Sequence, residues 1–307
     1  MLTAGSNTGT LTADDARLFE QALKLLGGEL VRAREQALEI RLRDRRLELT
    51  ASTIGPQLRD LPELPAMPSA THVAAALACV LNEPIPEALV QDLDFIRPWL
   101  RPQLVKTTEL QGPRRAMCRR EAFGGLLLAI AAGRGPRCAL LTTKLLDAWK
   151  LTFDEVLVIA KENLAIELAK AGVHDIEGSA GVLAIAHDIE PACCAYLLFD
   201  RLLAEWDAVH GAVFAVPDEE TTLVLPVEEG GGSEGVAGLI QAALSWSADT
   251  ESASGELLSD QVFWIRRDGD IARLPMTRIE ERAGRRVQLE ATGPMSDLLT
   301  ILGEVTE

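Results

Sequence analysis

The sequence predicts an α+β protein with mixed, largely antiparallel and hairpin-rich sheets packed with helices. Three observations carry this expectation. Apolar and charged residues alternate on either side of short polar turns, the pattern of hairpins with one wet face. Continuous apolar runs in the middle of the chain fit strands covered on both faces. Stretches of helical period stand among these strands without the regular strand–helix alternation of a parallel sheet.

Residues 1–11 carry no period and read as disordered. Thr12 is placed to cap a helix that runs to about Leu26, with Asp14 and Asp15 in the first turn, where carboxylates suit the positive end of the dipole. Leu18, Phe19, Ala22, Leu25 and Leu26 form its apolar stripe, and Gly27-Gly28 ends it. Leu38, Ile40 and Leu42 then alternate with charged residues, as do Leu47 and Leu49 after the turn at Asp44-Arg45, which makes a hairpin. Four prolines in 55–70 mark a linker. Helices are expected over 70–81 and 86–100, the second interrupted at Pro98.

The runs GGLLLAIAA and RCALL in 122–142 read as buried strands joined by Gly133-Arg134-Gly135-Pro136. Thr152 and Glu155 form a capping box for a helix over 152–170, with Val156, Ile159, Ala160, Leu164 and Leu168 on one side. A strand at 183–186 precedes a helix over 190–207 that opens with Pro191. GAVFAVP and TTLVLPV pair across the acidic turn Asp218-Glu219-Glu220. A glycine-rich break at 228–235 leads to a helix over 236–247, two further hairpins turning at Asp268-Gly269 and Ala283-Gly284, and a last helix from about Met295. These boundaries suggest a small N-terminal unit over 1–60, a central core over 66–228, and a C-terminal segment over 234–307.

Composition narrows the function classes. The net charge is −16, which argues against an extended nucleic-acid or anionic-membrane surface and favours a basic partner. Aromatics make up only 4 % of the chain, so the core is expected to be built mainly from Leu, Val, Ile and Ala. The five cysteines form no CxxC pair, and the sequence has neither a secretory signal nor a long apolar run, so a cytoplasmic protein with buried thiols is expected.

No GxSxG elbow, HExxH pair or GxGxxG opening is present. The nearest thing to a chemical site is a repeated tetrad, His174-Asp175-Ile176-Glu177 and His187-Asp188-Ile189-Glu190. Imidazole with carboxylate suits a divalent metal, which makes His174, Asp175, His187 and Asp188 the candidate ligands. Loop and capping roles are the structural alternative, since neighbouring residues of a strand face opposite ways. Cys193-Cys194 reads as a buried pair beside a helix start, and Asn163 as a buried amide bridging its helix to sheet backbone. The candidate partner-binding residues are Arg41, Arg43 and Arg45 of the first hairpin, Arg114 and Arg115 of the densest basic run, and the acidic turn Asp218, Glu219 and Glu220.

The segment LTTKLLDAWKLTFDEVLVIAKENL at 141–164 and the Val216, Pro217 and Asp218 hairpin resemble the YtpQ-like family of uncharacterised bacterial proteins, over roughly residues 95–275. The resemblance implies a bacterial, soluble α+β protein and supplies no catalytic residues, since that family has no established reaction. The expected function is a non-enzymatic protein-interaction module (an adaptor, immunity or chaperone-like protein) with a protein partner and no cofactor. The alternatives are a metal-dependent hydrolase using the His-Asp pairs and a structural or regulatory subunit of an oligomer.

Overall fold

The computed structural model describes residues 13–34, 37–50, 69–81, 83, 85, 87–110, 115–133, 138–170, 172–187, 191–229, 233–252, 257–281 and 284–303. The expected Thr12 cap, the linker in 55–70, most of the turn at 133–136 and the centre of the glycine-rich break lie outside these residues. The fold is α+β, and every strand pair whose register is described is antiparallel. The chain divides into two compact units, each assembled from two segments: 1–101 with 131–159, and 102–130 with 160–307.

The first unit opens with helix α1 (Ala13–Leu25). It buries Phe19, Ala22 and Leu23, while Leu25 points outward at 45 % exposure. The apolar face is thus turned by part of a turn from the expected stripe. Gly27, at φ +73°, ends the helix. Three strands follow, β1 (Gly28–Ala33), β2 (Ala37–Leu42) and β3 (Arg45–Thr50), forming one sheet in that order. Leu38, Ile40, Leu42 and Leu49 are buried on its inner side, as their alternation predicts. The turn is at Arg43-Asp44, one residue earlier than expected, and Arg43 takes a left-handed φ of +54° there.

Helix α2 (Ala70–Val80) is apolar on nearly all sides and buries its central residues 73–79. Its N-terminus is closed by Ser69, whose hydroxyl accepts from the His72 N–H (3.4 Å) while the Ser69 N–H donates to His72 Nδ1 (3.1 Å). In place of one helix over 86–100 there are two single turns, α3 (Glu87–Val90) and α4 (Leu93–Ile96), and a 3₁₀ turn containing Pro98. The chain passes through β4 (Leu100–Lys106), β5 (Arg119–Glu121) and β6 (Leu126–Ala132), then returns through β7 (Ala139–Leu140), α5 (Thr143–Trp149) and α6 (Phe153–Leu168). The ends of the two units' segments fall within β4, β6 and α6. The capping box of α6 is formed: Thr152 N–H donates to Glu155 Oε2 (2.8 Å) and Glu155 N–H to Thr152 Oγ1 (3.3 Å). The Thr152 N–H and hydroxyl, both donating to the Glu155 carboxylate at 2.8 Å, hold it below its usual pKa.

The second unit is built on a six-stranded sheet. Its strands are β8 (Val173–Asp175), β9 (Leu183–Ala186), β10 (Ala212–Ala215), β11 (Thr221–Pro226), β12 (Val262–Ile265) and β13 (Ile271–Arg273), in the order β13-β12-β10-β11-β9-β8. The residues expected as one helix over 190–207 wind first as a 3₁₀ segment, Ala192–Leu198, and then as α7 (Phe199–Glu205). Helix α8 (Glu234–Ser252) is longer than its apolar period suggests. The hairpin β14 (Met276–Glu281) and β15 (Gly284–Leu289) and helix α9 (Pro294–Ile301) complete the unit.

Both faces of the central strands are covered. On one, Val213, Leu223, Leu225 and Trp264 pack with Val236, Leu239 and Ile240 of α8 and with Met295 and Leu298 of α9. On the other, Phe214 and Phe263 meet Phe123, Tyr196 and Phe199 in a set of mostly edge-to-face contacts, with ring centroids 4.6 Å apart for Phe123–Phe263 and 4.9 Å for Phe123–Tyr196. Five of the chain's thirteen aromatics thus gather in one cluster, where each pair adds about 0.5–1.5 kcal/mol beyond burial. Gly124, at φ +56°, lets the chain pass directly over the Phe263 ring, which a Cβ there would overlap.

Candidate functional site

The hairpin arginines are paired within the first unit. Arg41 bonds Glu29 (2.6 Å) and Arg46 bonds Glu39 (2.9 Å) across the outer face of the sheet. The register sets Glu29, Arg41 and Arg46 in one cross-strand row and Arg32, Glu39 and Glu48 in the other. An irregularity between Leu30 and Arg32 gives β1 one extra residue, which turns Arg32 to this outer side opposite Glu39. The face therefore carries three cations and three anions in mutual neighbourhood, and has no net positive field to offer a partner. Arg43 and Arg45 converge on one carboxylate, Glu83, at 3.1 and 3.5 Å. Only 5 % of the Glu83 side chain is exposed, so the hairpin tip is clamped to the segment beyond α2.

Arg114 lies outside the described residues. Arg115 is exposed, and its backbone carbonyl accepts from Arg119 Nη1 (3.0 Å), which also reaches the Met117 carbonyl (3.3 Å). The basic run thus spends part of its hydrogen-bonding capacity on its own backbone.

The acidic turn between β10 and β11 is tied into the second unit. Asp218 Oδ1 accepts from the Glu220 N–H (3.0 Å), closing the turn locally, and Oδ2 accepts from Trp246 Nε1 of α8 (2.8 Å). The Glu219 carboxylate accepts from Gln103 Nε2 of β4 (3.3 Å). The backbone carbonyls of Glu219 and Glu220 take the N–H groups of Cys193 (3.2 Å) and His187 (3.0 Å). Asp218 and Glu219 are half-buried, and Glu220 alone is exposed.

His174 and Asp175 lie on β8, and His187 lies one residue past the end of the neighbouring β9, in a register that separates the imidazoles. His174 pairs with Ala184, and His187 lies three residues beyond Ala184, roughly 10 Å along the strand. His174 and Asp175 are exposed, His187 is half-buried, and Asp188 lies outside the described residues. Among the described residues no group of three or more His, Cys, Asp or Glu side chains is placed to hold a metal ion.

Cys193 and Cys194 are fully buried, with their sulfurs 4.0 Å apart. Burial, and then the neighbouring Cys193 thiol, push the Cys194 thiol well above its ordinary pKa, the opposite of what a nucleophilic thiol requires.

The outward side of α6 carries none of the motifs that mark a site in the sequence. Val158 is 56 % and Ile166 60 % exposed, and these are the most exposed large hydrophobic side chains among the described residues. Asp154, Glu155 and Glu162 are exposed on the same side, and Asn163 is half-buried. The signal was present in the sequence: Asp154, Val158, Glu162 and Ile166 follow one another at four-residue spacing, a second stripe beside the buried one. Compared with known proteins, the chain matches no family model, no curated protein and no solved structure.

Proposed function

We propose that the chain is a non-catalytic interaction module that binds a protein partner. The observation that supports this most directly is the outward side of α6, where two large aliphatic side chains stand in solvent on a well-capped helix. Leaving them more than half exposed forgoes roughly half of the 1.5–3 kcal/mol that full burial of such a side chain contributes, which a partner would recover. The polar groups that would suggest chemistry have structural roles instead. Asp218 and Glu219 hold the turn, and burial pushes the Cys194 thiol well above its ordinary pKa. The absence of any helix long and apolar enough to cross a membrane, among the described residues, is compatible with a cytoplasmic adaptor, immunity or chaperone-like role.

The test is site-directed photo-crosslinking of the full chain in its native host. A photoreactive residue is placed in turn at Ile166, Val209 and Leu25, all exposed. A discrete protein adduct from Ile166, with none from Leu25 or Val209, is the expected result. No protein adduct from any of the three positions would overturn the interaction reading.

A further inference from the structure

We infer that the outward side of α6 receives a basic amphipathic helix from a different protein, an inference that rests on the interaction-module reading. Val158 and Ile166 lie on one continuous helix, so their separation is set by helix geometry alone: eight residues at 1.5 Å each, about 12 Å. Glu162 lies midway between them, and Asp154 and Glu155 stand one turn before Val158. Viewed down the axis at about 100° per residue, Asp154, Val158, Glu162 and Ile166 drift through only about 120°, which keeps them on one side. Ala165 falls within the same arc, and its small side chain lets a second helix approach to about 8–10 Å between axes.

The pattern specifies its complement. Two apolar side chains two turns apart, with an anion between them, match a helix carrying apolar residues two turns apart and Lys or Arg between. The apolar contacts would set the register, and the charges would speed encounter and reject acidic partners. A second copy of this chain fits less well. An antiparallel self-pair centred on this stripe sets Val158 opposite Ile166 but also Glu162 opposite Glu162, and it brings together two chains of net charge −16. A basic helix meets neither penalty.

The experiment uses the full chain and two labelled synthetic peptides of about 18 residues, or five helical turns. One places Leu at helical spacing on one face with Lys flanking it; the other is an isomer of identical composition with the Leu residues dispersed around the helix. Binding is read by fluorescence anisotropy at about 50 and about 200 mM salt. The ordered peptide is expected to bind at least tenfold more tightly than its isomer and more weakly at the higher salt. The double variant Val158→Ser/Ile166→Ser is expected to lose that tenfold preference with an unchanged circular dichroism spectrum, since both positions are exposed. Glu162→Lys is expected to weaken binding and flatten its salt dependence.

Equal binding of the two peptides would overturn the inference, because charge alone would account for it. A double variant that binds as the wild type does would overturn the site. Dimerisation of the wild-type chain that is lost in the double variant would make a second copy the occupant. If the peptide assay fails while crosslinks form at Val209 or Leu25, the α6 inference falls and the interaction reading survives; if no position crosslinks, both fall.

Discussion

The indole N–H of Trp246 donates to Asp218 at 2.8 Å, and through that one bond helix α8 is fastened to the turn joining β10 and β11. The other oxygen of the same carboxylate closes the turn by accepting from the Glu220 N–H. One side chain therefore fixes both the turn's shape and the position of the helix that covers the sheet.

Asp218→Ala removes both bonds and leaves a half-buried indole N–H unpaired. It is expected to cost the second unit about 1–3 kcal/mol. Asp218→Asn keeps a carbonyl oxygen for one of the two donors and is expected to cost less than half as much. Urea unfolding followed by tryptophan fluorescence measures both. If Asp218 served mainly to meet a partner, the alanine variant would unfold at the wild-type midpoint.

This bond also marks the limit of what the sequence discloses. The turn itself is legible, because GAVFAVP and TTLVLPV alternate and Asp218 suits a turn. Its electrostatic role is not: the groups that engage it, Trp246 and Gln103, lie 28 and 116 residues away from their carboxylates. Seen without them, three acidic residues look like a docking patch. The same blindness splits the helix expected over 190–207. Cys193 gives its N–H to the Glu219 carbonyl of the distant turn, and the first seven residues wind as a 3₁₀ segment.

Where the signal is local, sequence and structure agree. The capping box at Thr152 and Glu155, the inner row Leu38, Ile40 and Leu42, and the fully buried run in β6 are all as expected. Strand β1 escaped notice because GELVRA follows directly on the Gly27 helix stop and its irregularity breaks strict alternation. In α1 the period was right and the phase wrong: Leu23 rather than Leu25 faces inward, since Phe19, Ala22 and Leu23 are the residues that pack.

The Arg43–Glu83–Arg45 cluster predicts a non-additive pattern of stabilities. Either arginine removed alone leaves the other to neutralise Glu83, so each single alanine variant is expected to cost under about 1 kcal/mol. Removing both takes two cations from a carboxylate whose side chain is only 5 % exposed, and a loss on the order of 2–3 kcal/mol is expected. That figure is below the range for fully buried pairs because the arginines themselves are 61 % and 53 % exposed and partly screened. Adding Glu83→Gln to the double variant removes the buried negative charge and is expected to restore part of the loss. Thermal or urea unfolding of the four variants makes the double-mutant cycle. Purely additive losses, with no rescue by Gln, would show that the arginines do not act through Glu83.

The cysteines predict how stability and reactivity change at alkaline pH. Burial raises Cys118 from an ordinary value near 9 to about 11, and it pushes Cys194 up as well. In the unfolded chain these thiols ionise at their ordinary values, while in the folded chain they remain protonated to higher pH. Between those limits the unfolded state releases protons that the folded state retains, so proton release pulls the equilibrium toward unfolding. Their contribution to stability is therefore fully present below about pH 9 and declines as pH rises toward about 11. Reactivity should follow the same division. Cys138 is half-buried, whereas Cys79, Cys118, Cys193 and Cys194 are buried. At pH 8 a thiol reagent is expected to modify Cys138 first in the native protein, with the other four labelled only on addition of denaturant. Mass spectrometry of the labelled chain reads the site directly. Rapid native labelling of Cys193 or Cys194 would mean that the segment Ala192–Leu198 opens readily, and that the carbonyl contacts from the Asp218–Glu220 turn do not hold it closed.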